Sequence, residues 1–367
     1  MTTDSTIRHQ AGQVLVVGLS TPTLSPLERT WLRLIRPAGI ILFKRNIEFP
    51  TQTRALLGEA AARCTPNSLR CVDIEGGTVN RLRDALAPLP SPRAVAQTKS
   101  QKNAKEHGDL IARAAQAFGF NTTLAPVLDL GLPQAEPILG TRTAGPTPAD
   151  VIAYAQPFLA ACAAQNIATC GKHFPGLGGA TADTHLLTPS IPRKYSQLWC
   201  EDLLPYRNLH KQLPMVMINH AAYPATPGKK RPASVSPFWI TTVLRNRLNY
   251  RGLIFSDDFE MGGILNHLSI EEAVIESIRA GMDLIEICHS PDLILAAWES
   301  LIAEAERSPA FARLLAHRAR ATSRKRAKLF SAPPARALTP TQLNNLRTRI
   351  EQFNSRIGEG YGLQPVH

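Results

Sequence analysis

Short apolar segments rich in β-branched residues alternate along the chain with longer segments in which apolar residues recur at helical spacing. A short continuous apolar run is typical of a buried strand, and apolar residues three or four positions apart are typical of an amphipathic helix. Eight strands are predicted, at residues 14–19, 39–43, 69–74, 122–130, 168–173, 215–219, 252–256 and 283–287. Helices are predicted between them, at residues 25–35, 52–64, 108–118, 147–165, 197–209, 236–248 and 270–281. Strands that alternate with helices pair in parallel, so the pattern predicts an α/β fold.

Eight strands alternating with helices predict a closed (β/α)8 TIM-type barrel. An open doubly wound sheet is the alternative, but no glycine-rich fingerprint follows the first strand. Residues 291–329 show the pattern of two further amphipathic helices, a C-terminal helical extension. We therefore expect one catalytic domain over residues 1–330. Residues 331–367 would form a Pro/Ala-rich and polar tail with a helix at 339–353.

The net charge of +12 comes largely from a basic segment near the C-terminus. Its residues are Arg313, Arg318, Arg320, Arg324, Lys325, Arg326 and Lys328. A solvated helical face is the ordinary interpretation, and attraction for anions is the alternative. No nucleic-acid-binding motif accompanies the segment, so we expect no nucleic-acid partner.

The first thirteen residues lack the apolar core of a secretory signal, and no apolar run is long enough to cross a bilayer. We therefore expect a cytoplasmic protein, a monomer without a membrane partner. The six cysteines show neither CxxC pairs nor zinc-finger spacing. We expect them to be small buried apolar residues, and we expect no metal or cofactor.

Polar residues follow the predicted strands at their carboxyl ends, where the catalytic groups of a barrel lie. They are Asp73 and Glu75 after strand three, Asp129 in strand four, Lys172 and His173 in strand five, Asn219 and His220 after strand six, and Asp257 and Asp258 after strand seven. Their convergence on one rim predicts an active site there.

Asp257 follows a buried apolar run, which would fix its carboxylate at the barrel mouth as a nucleophile, a general base or a metal ligand. Asp258 is expected to face the opposite way, because successive strand residues alternate, and to cap a helix or support its neighbours. Lys172, Arg81 and Arg142 are candidate hydrogen-bond donors to a polar ligand, and Asp73 is the matching acceptor, a combination that suits sugar hydroxyl groups.

Residues 171–189 read GKHFPGLGGATADTHLLTP and contain the most distinctive loop of the chain. Glycine adopts backbone conformations that other residues avoid, so Gly176, Gly178 and Gly179 predict a loop with little steric restraint. Asp183 and His185 would then lie on a mobile segment that closes over a substrate and carries a proton.

Eight segments match a known family in order. They are GIILFKRN at 39–46, CVDIEGGTVNRL at 71–82, LAPVLDL at 124–130, GKHFPG at 171–176, DTHLLTP at 183–189, MINHAAYP at 217–224, PASVS at 232–236 and IFSDDFEM at 254–261. Over residues 14–288 the chain resembles glycoside hydrolase family 3, in its single-domain β-N-acetylhexosaminidase branch.

The resemblance implies a retaining, exo-acting glycosidase that removes terminal β-linked N-acetylglucosamine through a covalent glycosyl-enzyme. Asp257 matches the nucleophile of the family, His185 matches the acid/base residue of this branch, and Asp183 matches the partner of that histidine. The positions that hold the sugar correspond to Asp73, Arg81, Arg142, Lys172 and His173. The implied substrate is a β-N-acetylglucosaminide, and the expected source is muropeptide fragments of peptidoglycan.

The chain departs from the family pattern in two places. Typical members read HFPGHGD where residues 173–179 read HFPGLGG, and the aromatic residue expected shortly after Arg142 is absent. These changes bear on loop closure, pH dependence and the choice of leaving group.

Three alternatives remain at this point. One is β-glucosidase or β-xylosidase specificity within the same family, and another is a sugar-binding protein without catalysis. The third is a metal-dependent hydrolase, since imidazoles and carboxylates at strand ends suit zinc. Its ligands would come from His173, Asp183, His185, His220 and Asp257.

Overall fold

The computed structural model describes residues 3–182, 187–333 and 335–358. Eight parallel strands close into a barrel. They are β1 (Leu15–Gly18), β2 (Gly39–Leu42), β3 (Leu69–Val72), β4 (Thr122–Thr123), β5 (Ala168–Phe174), β6 (Met215–Ile218), β7 (Leu253–Asp258) and β8 (Leu284–Ile287). Each strand pairs with its neighbours in chain order, and β8 closes the barrel on β1 through the pairing of Leu15 with Ile285. The predicted (β/α)8 barrel is confirmed.

Alternate residues of the strands face two different apolar layers. Val16, Ile41 and Leu284 belong to the cluster that fills the barrel interior. Val17 and Ile285 belong to the larger cluster between the strands and the surrounding helices. Burial on both faces explains why the strands appear in the sequence as continuous apolar runs.

The fourth strand is shorter than predicted. Only Thr122 and Thr123 pair regularly, whereas the sequence pattern extends over residues 122–130. Pro126 has no N–H group to donate to a sheet, so regular pairing ends before it. A single bridge from Val127 to Lys172 then keeps this segment beside β5.

Helices surround the barrel. The α-helices are Thr3–Gly12, Pro26–Ile35, Pro50–Ala61, Pro92–Gln97, Gln101–Phe118, Glu136–Leu139, Pro148–Ala164, Tyr195–Cys200, Leu204–Leu209, Gly262–Leu265, Ile270–Ala280, Pro291–Arg307, Pro309–Leu329 and Pro340–Ile357. Phe238–Arg247 is wound as a π-helix. The single helix predicted at 197–209 is two short helices, because Pro205 cannot donate the hydrogen bond that would continue the first one.

The predicted C-terminal extension consists of the helices Pro291–Arg307 and Pro309–Leu329. The last helix, Pro340–Ile357, buries Leu346, Ile350 and Phe353. The ring of Phe353 stacks on His107 with the ring centres 5.9 Å apart. Much of the expected tail therefore packs against the barrel.

The basic segment is not only a solvated face. Arg326 is fully buried and donates hydrogen bonds to the Thr65 hydroxyl (2.9 Å) and the Pro66 carbonyl (3.0 Å). Arg318 and Lys325 lie 3.6 and 3.2 Å from the buried carboxylate of Asp283. The interpretation as a solvated face is wrong for these three residues, which join the helix to the barrel.

Two further expectations concern the cysteines and membrane-spanning helices. Five of the six cysteines are buried as predicted, but Cys200 is exposed. Within the residues that the structure describes, no helix has the length and apolar character needed to cross a membrane.

Candidate active site

A cavity of about 420 Å³ lies at the carboxyl ends of the barrel strands. It is lined by the proposed nucleophile and by all five proposed sugar-binding residues, namely Asp257, Asp73, Arg81, Arg142, Lys172 and His173. The predicted proton carrier His185 and its partner Asp183 lie outside the described residues. The barrel thus brings together groups from strands three, five and seven and from the loop after strand four.

A buried network of charges forms one wall of the cavity. Lys172 Nζ lies 2.8 Å from Asp73 Oδ1 and 2.7 Å from Glu75 Oε1. Arg142 donates two hydrogen bonds of 2.9 Å each to the Glu75 carboxylate, from Nε and Nη2. Bidentate pairing of this kind fixes the orientation of both groups. The network holds two sugar-binding candidates, Lys172 and Arg142, around one carboxylate.

The charges in this network keep one another ionised. Burial alone would raise the pKa of Glu75, but the positive charges of Arg142 and Lys172 outweigh burial and hold that pKa well below its usual range. Burial alone would also lower the pKa of Lys172, but Asp73 and Glu75 outweigh it and raise the pKa. Lys172 is therefore a protonated donor and cannot act as a general base.

Asp129 orients His173 at the bottom of the same wall. Its Oδ2 accepts from the backbone N–H of His173 at 3.0 Å and from Nδ1 at 2.7 Å. The proton is therefore on Nδ1, and Nε2 faces Arg142 Nη2 at 3.4 Å. Asp129 Oδ1 accepts from the N–H of Leu177 at 2.7 Å. One carboxylate thus fixes both the histidine and the start of the loop after it.

The two aspartates at the end of β7 both line the cavity. The predicted opposite orientation of Asp258 is wrong in this respect, because a register shift between Phe255 and Asp258 interrupts the strand alternation. Asp258 Oδ1 accepts from the N–H of Glu260 at 3.0 Å, the supporting role expected of it. Burial raises the pKa of Asp258 to about 7.

The glycines after His173 serve close packing rather than mobility. Gly176 has φ of +131°, a conformation that favours glycine, and a Cβ on Gly178 would lie 2.7 Å from the Leu130 carbonyl oxygen. Residues 176–180 are all buried. The predicted lack of steric restraint is wrong for this part of the loop, and the predicted mobility of Asp183 and His185 concerns residues outside the described ones.

Asn219 and His220 support the site without lining its cavity. Asn219 Nδ2 donates to the carbonyl of His173 at 3.0 Å. The two nitrogens of His220 contact the Ser234 hydroxyl (2.7 Å) and the Asp258 carbonyl (2.9 Å). Both ring nitrogens of His220 are therefore engaged, which does not favour the alternative of a metal site with His220 as a ligand.

A different group, Asp258, Glu260 and His289, places potential metal-ligand atoms within 4.8 Å of one another. Hydrogen bonds within the chain already hold two of these side chains. Glu260 accepts from the Ser290 N–H at 2.6 Å, and His289 Nδ1 lies 2.8 Å from Arg45 Nη1. These contacts explain why the three side chains lie close together, and we assign no metal to them.

Several cavity residues received no individual role from the sequence. Glu75 was placed among the polar residues at the strand ends, but its ion pairs with Lys172 and Arg142 were not predicted. Glu286 interrupts the apolar run of β8, and a charged residue at such a position could have identified it from the sequence as a site residue. Phe43 and Arg45 also line the cavity, and the guanidinium of Arg45 lies 4.8 Å from the centre of the Phe43 ring. The guanidinium of Arg81 lies 5.6 Å from the same ring centre, so two cations contact one aromatic ring.

Comparison with known proteins identifies the family of the chain. The model of the glycosyl hydrolase family 3 N-terminal domain matches residues 6–316. The chain belongs to glycoside hydrolase family 3. It is 35% identical to a β-hexosaminidase of Methylococcus capsulatus over 286 residues, which is 76% of this chain and 84% of that protein. The predicted family resemblance is confirmed, and the protein is a glycoside hydrolase.

Solved structures of the family have the same fold. A family 3 β-N-acetylglucosaminidase from Paenibacillus sp. FPU-7 superposes with a TM-score of 0.86 at 27% identity, over 97% of this chain and 69% of that one. NagZ from Neisseria gonorrhoeae superposes with a TM-score of 0.70 at 28% identity, over 85% of this chain and 98% of that one. That NagZ has also been crystallised with N-trifluoroacetyl-D-glucosamine.

Proposed function

We propose that this glycoside hydrolase is a retaining, exo-acting β-N-acetylhexosaminidase that removes terminal β-linked N-acetylglucosamine. The observation that carries the proposal is that Asp257 lines the same cavity as Asp73, Lys172, His173 and Arg142. A carboxylate opposite a dense set of hydrogen-bond donors suits attack on a sugar whose hydroxyl groups are held. The similarity to β-hexosaminidases supports the choice of sugar.

In the proposed mechanism Asp257 attacks the anomeric carbon while protonated His185 donates its proton to the departing oxygen. The product is a glycosyl-enzyme ester, and its formation releases the aglycone alcohol. Neutral His185 then takes a proton from water, whose oxygen attacks the anomeric carbon and restores the Asp257 carboxylate. Asp183 orients the imidazole and stabilises its cation. Asp73, Arg81, Arg142, Lys172 and His173 hold the sugar through both steps.

Peptidoglycan fragments are the proposed natural substrate. Such fragments are anionic, and the protein carries a net charge of +12. The cavity lining adds Arg45 and Arg81, which both contact the Phe43 ring, and Lys44, which is paired with Asp84 at 2.6 Å. A cationic rim would attract an aglycone that bears carboxylates, whereas a neutral aglycone would gain nothing from it.

The first test compares hydrolysis of nitrophenyl β-N-acetylglucosaminide with that of nitrophenyl β-glucoside, with Asp257→Asn as the blank. We expect preference for the acetamido sugar, lost in the variant. Faster cleavage of the glucoside would keep the mechanism and replace the proposed specificity. Binding without turnover of either would favour the non-catalytic alternative. Purified muropeptide left intact while simple glucosides are cut would contradict the peptidoglycan source.

Metal dependence is tested in the same assay. The proposed mechanism uses only side chains and water, so EDTA should leave the rate unchanged. A loss of activity with EDTA that added divalent metal restores would contradict it.

A further inference from the structure

Glu286 is a buried acid inside an otherwise apolar strand. The strand β8 reads Leu284-Ile285-Glu286-Ile287, and all four residues are buried. Leu284 and Cys288 belong to the interior cluster, so strand alternation places Glu286 on the interior side as well. A glutamate is costly at such a position unless its oxygens gain partners.

The Glu286 side chain lacks a partner for one of its oxygens. The residue is 3% exposed, and its Oε1 has no hydrogen-bond partner within residues 3–182, 187–333 and 335–358. Its backbone is fully used, since the N–H donates to the Ser256 hydroxyl at 2.9 Å and the carbonyl accepts from Phe259 at 2.9 Å. The strand is thus held by its backbone, and the side chain carboxyl is not needed to hold it.

Glu286 lines the same cavity as Asp73 and Asp257. We propose that Glu286 binds a hydroxyl group of the sugar in this cavity through hydrogen bonds, an inference that rests on the proposed glycosidase function. A buried polar atom without a partner at the wall of a ligand cavity indicates a contact that the ligand completes. The residue is then a substrate-binding group, in addition to the five predicted from the sequence.

The charges around Glu286 decide the form in which it binds. Burial raises the pKa of Glu286 well above its usual range, and the negative charges of Asp73, Asp258 and Asp257 raise it further. The positive charge of Lys172 opposes this effect, but Lys172 is already held by Asp73 and Glu75. Glu286 is therefore an uncharged carboxylic acid, which donates one hydrogen bond and accepts others, as a sugar hydroxyl also does.

The test compares Glu286→Leu with Glu286→Gln. Leucine fills the space without polar atoms, whereas glutamine keeps a donor and an acceptor. We expect Glu286→Leu to lower kcat/KM for nitrophenyl β-N-acetylglucosaminide by about 10- to 100-fold, the usual effect of losing one buried hydrogen bond to substrate. Glu286→Gln should lose less than about fivefold. Glu304→Gln is the matched control, because Glu304 is also buried but lies far from the cavity on the helix Pro291–Arg307, and it should leave kcat/KM unchanged.

Deoxy substrates distinguish contact with the sugar from a structural role. The 3-, 4- and 6-deoxy forms of the substrate each lack one hydroxyl group, and the loss in Glu286→Leu should vanish for the form that lacks the contacted one. Binding of free N-acetylglucosamine, measured by calorimetry, should weaken in Glu286→Leu by a similar factor. Thermal unfolding should show the leucine variant as stable as the wild type or more stable.

Two results would overturn the sugar-binding role of Glu286 itself. Glu286→Leu could retain full kcat/KM, or it could lose the same factor with every deoxy substrate, which would mean a structural effect. Equal large losses in the glutamine and leucine variants would instead indicate that a charged carboxylate binds. If the wild type prefers β-glucosides, the proposed specificity fails but the same comparison with deoxyglucosides still decides the role of Glu286. If the wild type neither cleaves nor binds a sugar, both proposals fail.

Discussion

The buried carboxylate of Glu75 should determine both the stability of the fold and the shape of the sugar site. We consider Glu75→Gln, which keeps the size of the side chain and removes its charge. The Glu75 side chain is fully buried and contacts Lys172 at 2.7 Å and Arg142 through two bonds of 2.9 Å. The variant leaves two buried cations with Asp73 as the remaining close carboxylate.

The expected magnitude follows from the cost of an unpaired buried charge. Removal of one partner from a buried ion pair usually costs about 3–5 kcal/mol of unfolding free energy. We expect Glu75→Gln to fall near this range, because the amide oxygen can replace one carboxylate oxygen but the amide NH2 cannot accept from Arg142 or balance the positive charges. Lys172 and Arg142 would also shift relative to the sugar, and a displacement of about 1 Å in a positioning group costs about 100-fold in kcat/KM.

Urea unfolding and nitrophenyl β-N-acetylglucosaminide turnover measure the two effects. The matched control is Glu59→Gln, which removes a partly exposed carboxylate paired with Arg29 and should cost less than about 1 kcal/mol. The reasoning would be refuted if Glu75→Gln lowered the unfolding free energy by less than about 1 kcal/mol. It would also be refuted if the variant lost the expected stability but kept its activity.

The pH dependence gives a second measure of the same effect. The folded-state pKa of Glu75 lies well below its usual range. Its contribution to stability is therefore complete above the unfolded-state pKa of about 4.3 and declines as the pH falls below that value. The difference in unfolding free energy between wild type and Glu75→Gln should shrink on acidification. A difference that grows instead would show that Glu75 is protonated in the folded protein.

Three further predictions concern the proposed catalytic groups and their neighbour. Asp257→Asn should lower kcat/KM at least about a thousandfold while N-acetylglucosamine still binds; turnover within tenfold of wild type would exclude it as the nucleophile. His185→Ala should slow substrates with poor leaving groups more than nitrophenyl substrates, and equal losses would contradict a role as the acid. Asp258→Asn should gain stability relative to wild type as the pH rises from about 4 to 7, because the raised folded-state pKa of about 7 makes ionisation costly in the folded protein. Urea unfolding at several pH values measures this, and a pH-independent difference would contradict it.

The sequence was sufficient to predict the barrel because strands buried on both faces leave continuous apolar runs. The polar residues at the strand ends were visible for the same reason, since they interrupt those runs at the carboxyl ends. Lys172 and His173 follow the run in β5, and Asp257 follows the run in β7. Parallel pairing then brings them to one rim.

The partners of these residues were not predictable, because they are distant in the chain. Arg142 and Glu75 are 67 positions apart, and nothing in the sequence around either residue identifies the other. Arg326 appears in a run of basic residues that resembles a solvated face, yet it reaches carbonyl groups about 260 positions away. Tertiary contacts of this kind decide whether a charge is structural or solvated.

Glycine was ambiguous for a related reason. It permits a mobile loop, and it also permits close approach of two backbones. At Gly178 the second use applies, since a Cβ would clash with the carbonyl of Leu130. The amino-acid pattern is the same in both cases, and only the position of Leu130 distinguishes them.

Asp129 contacts both the sugar site and the altered loop, and these contacts indicate which of the two the loop sequence affects. Asp129 orients His173 and also binds the N–H of Leu177, the first residue at which this loop departs from the family pattern. The bond at position 177 uses the backbone, so the change of side chain there leaves the orientation of His173 intact. The Leu177 side chain lines the cavity and adds apolar surface to its wall. We therefore expect the altered loop to change which leaving groups are accepted and how His185 delivers its proton. The binding of the sugar itself should stay as in the family.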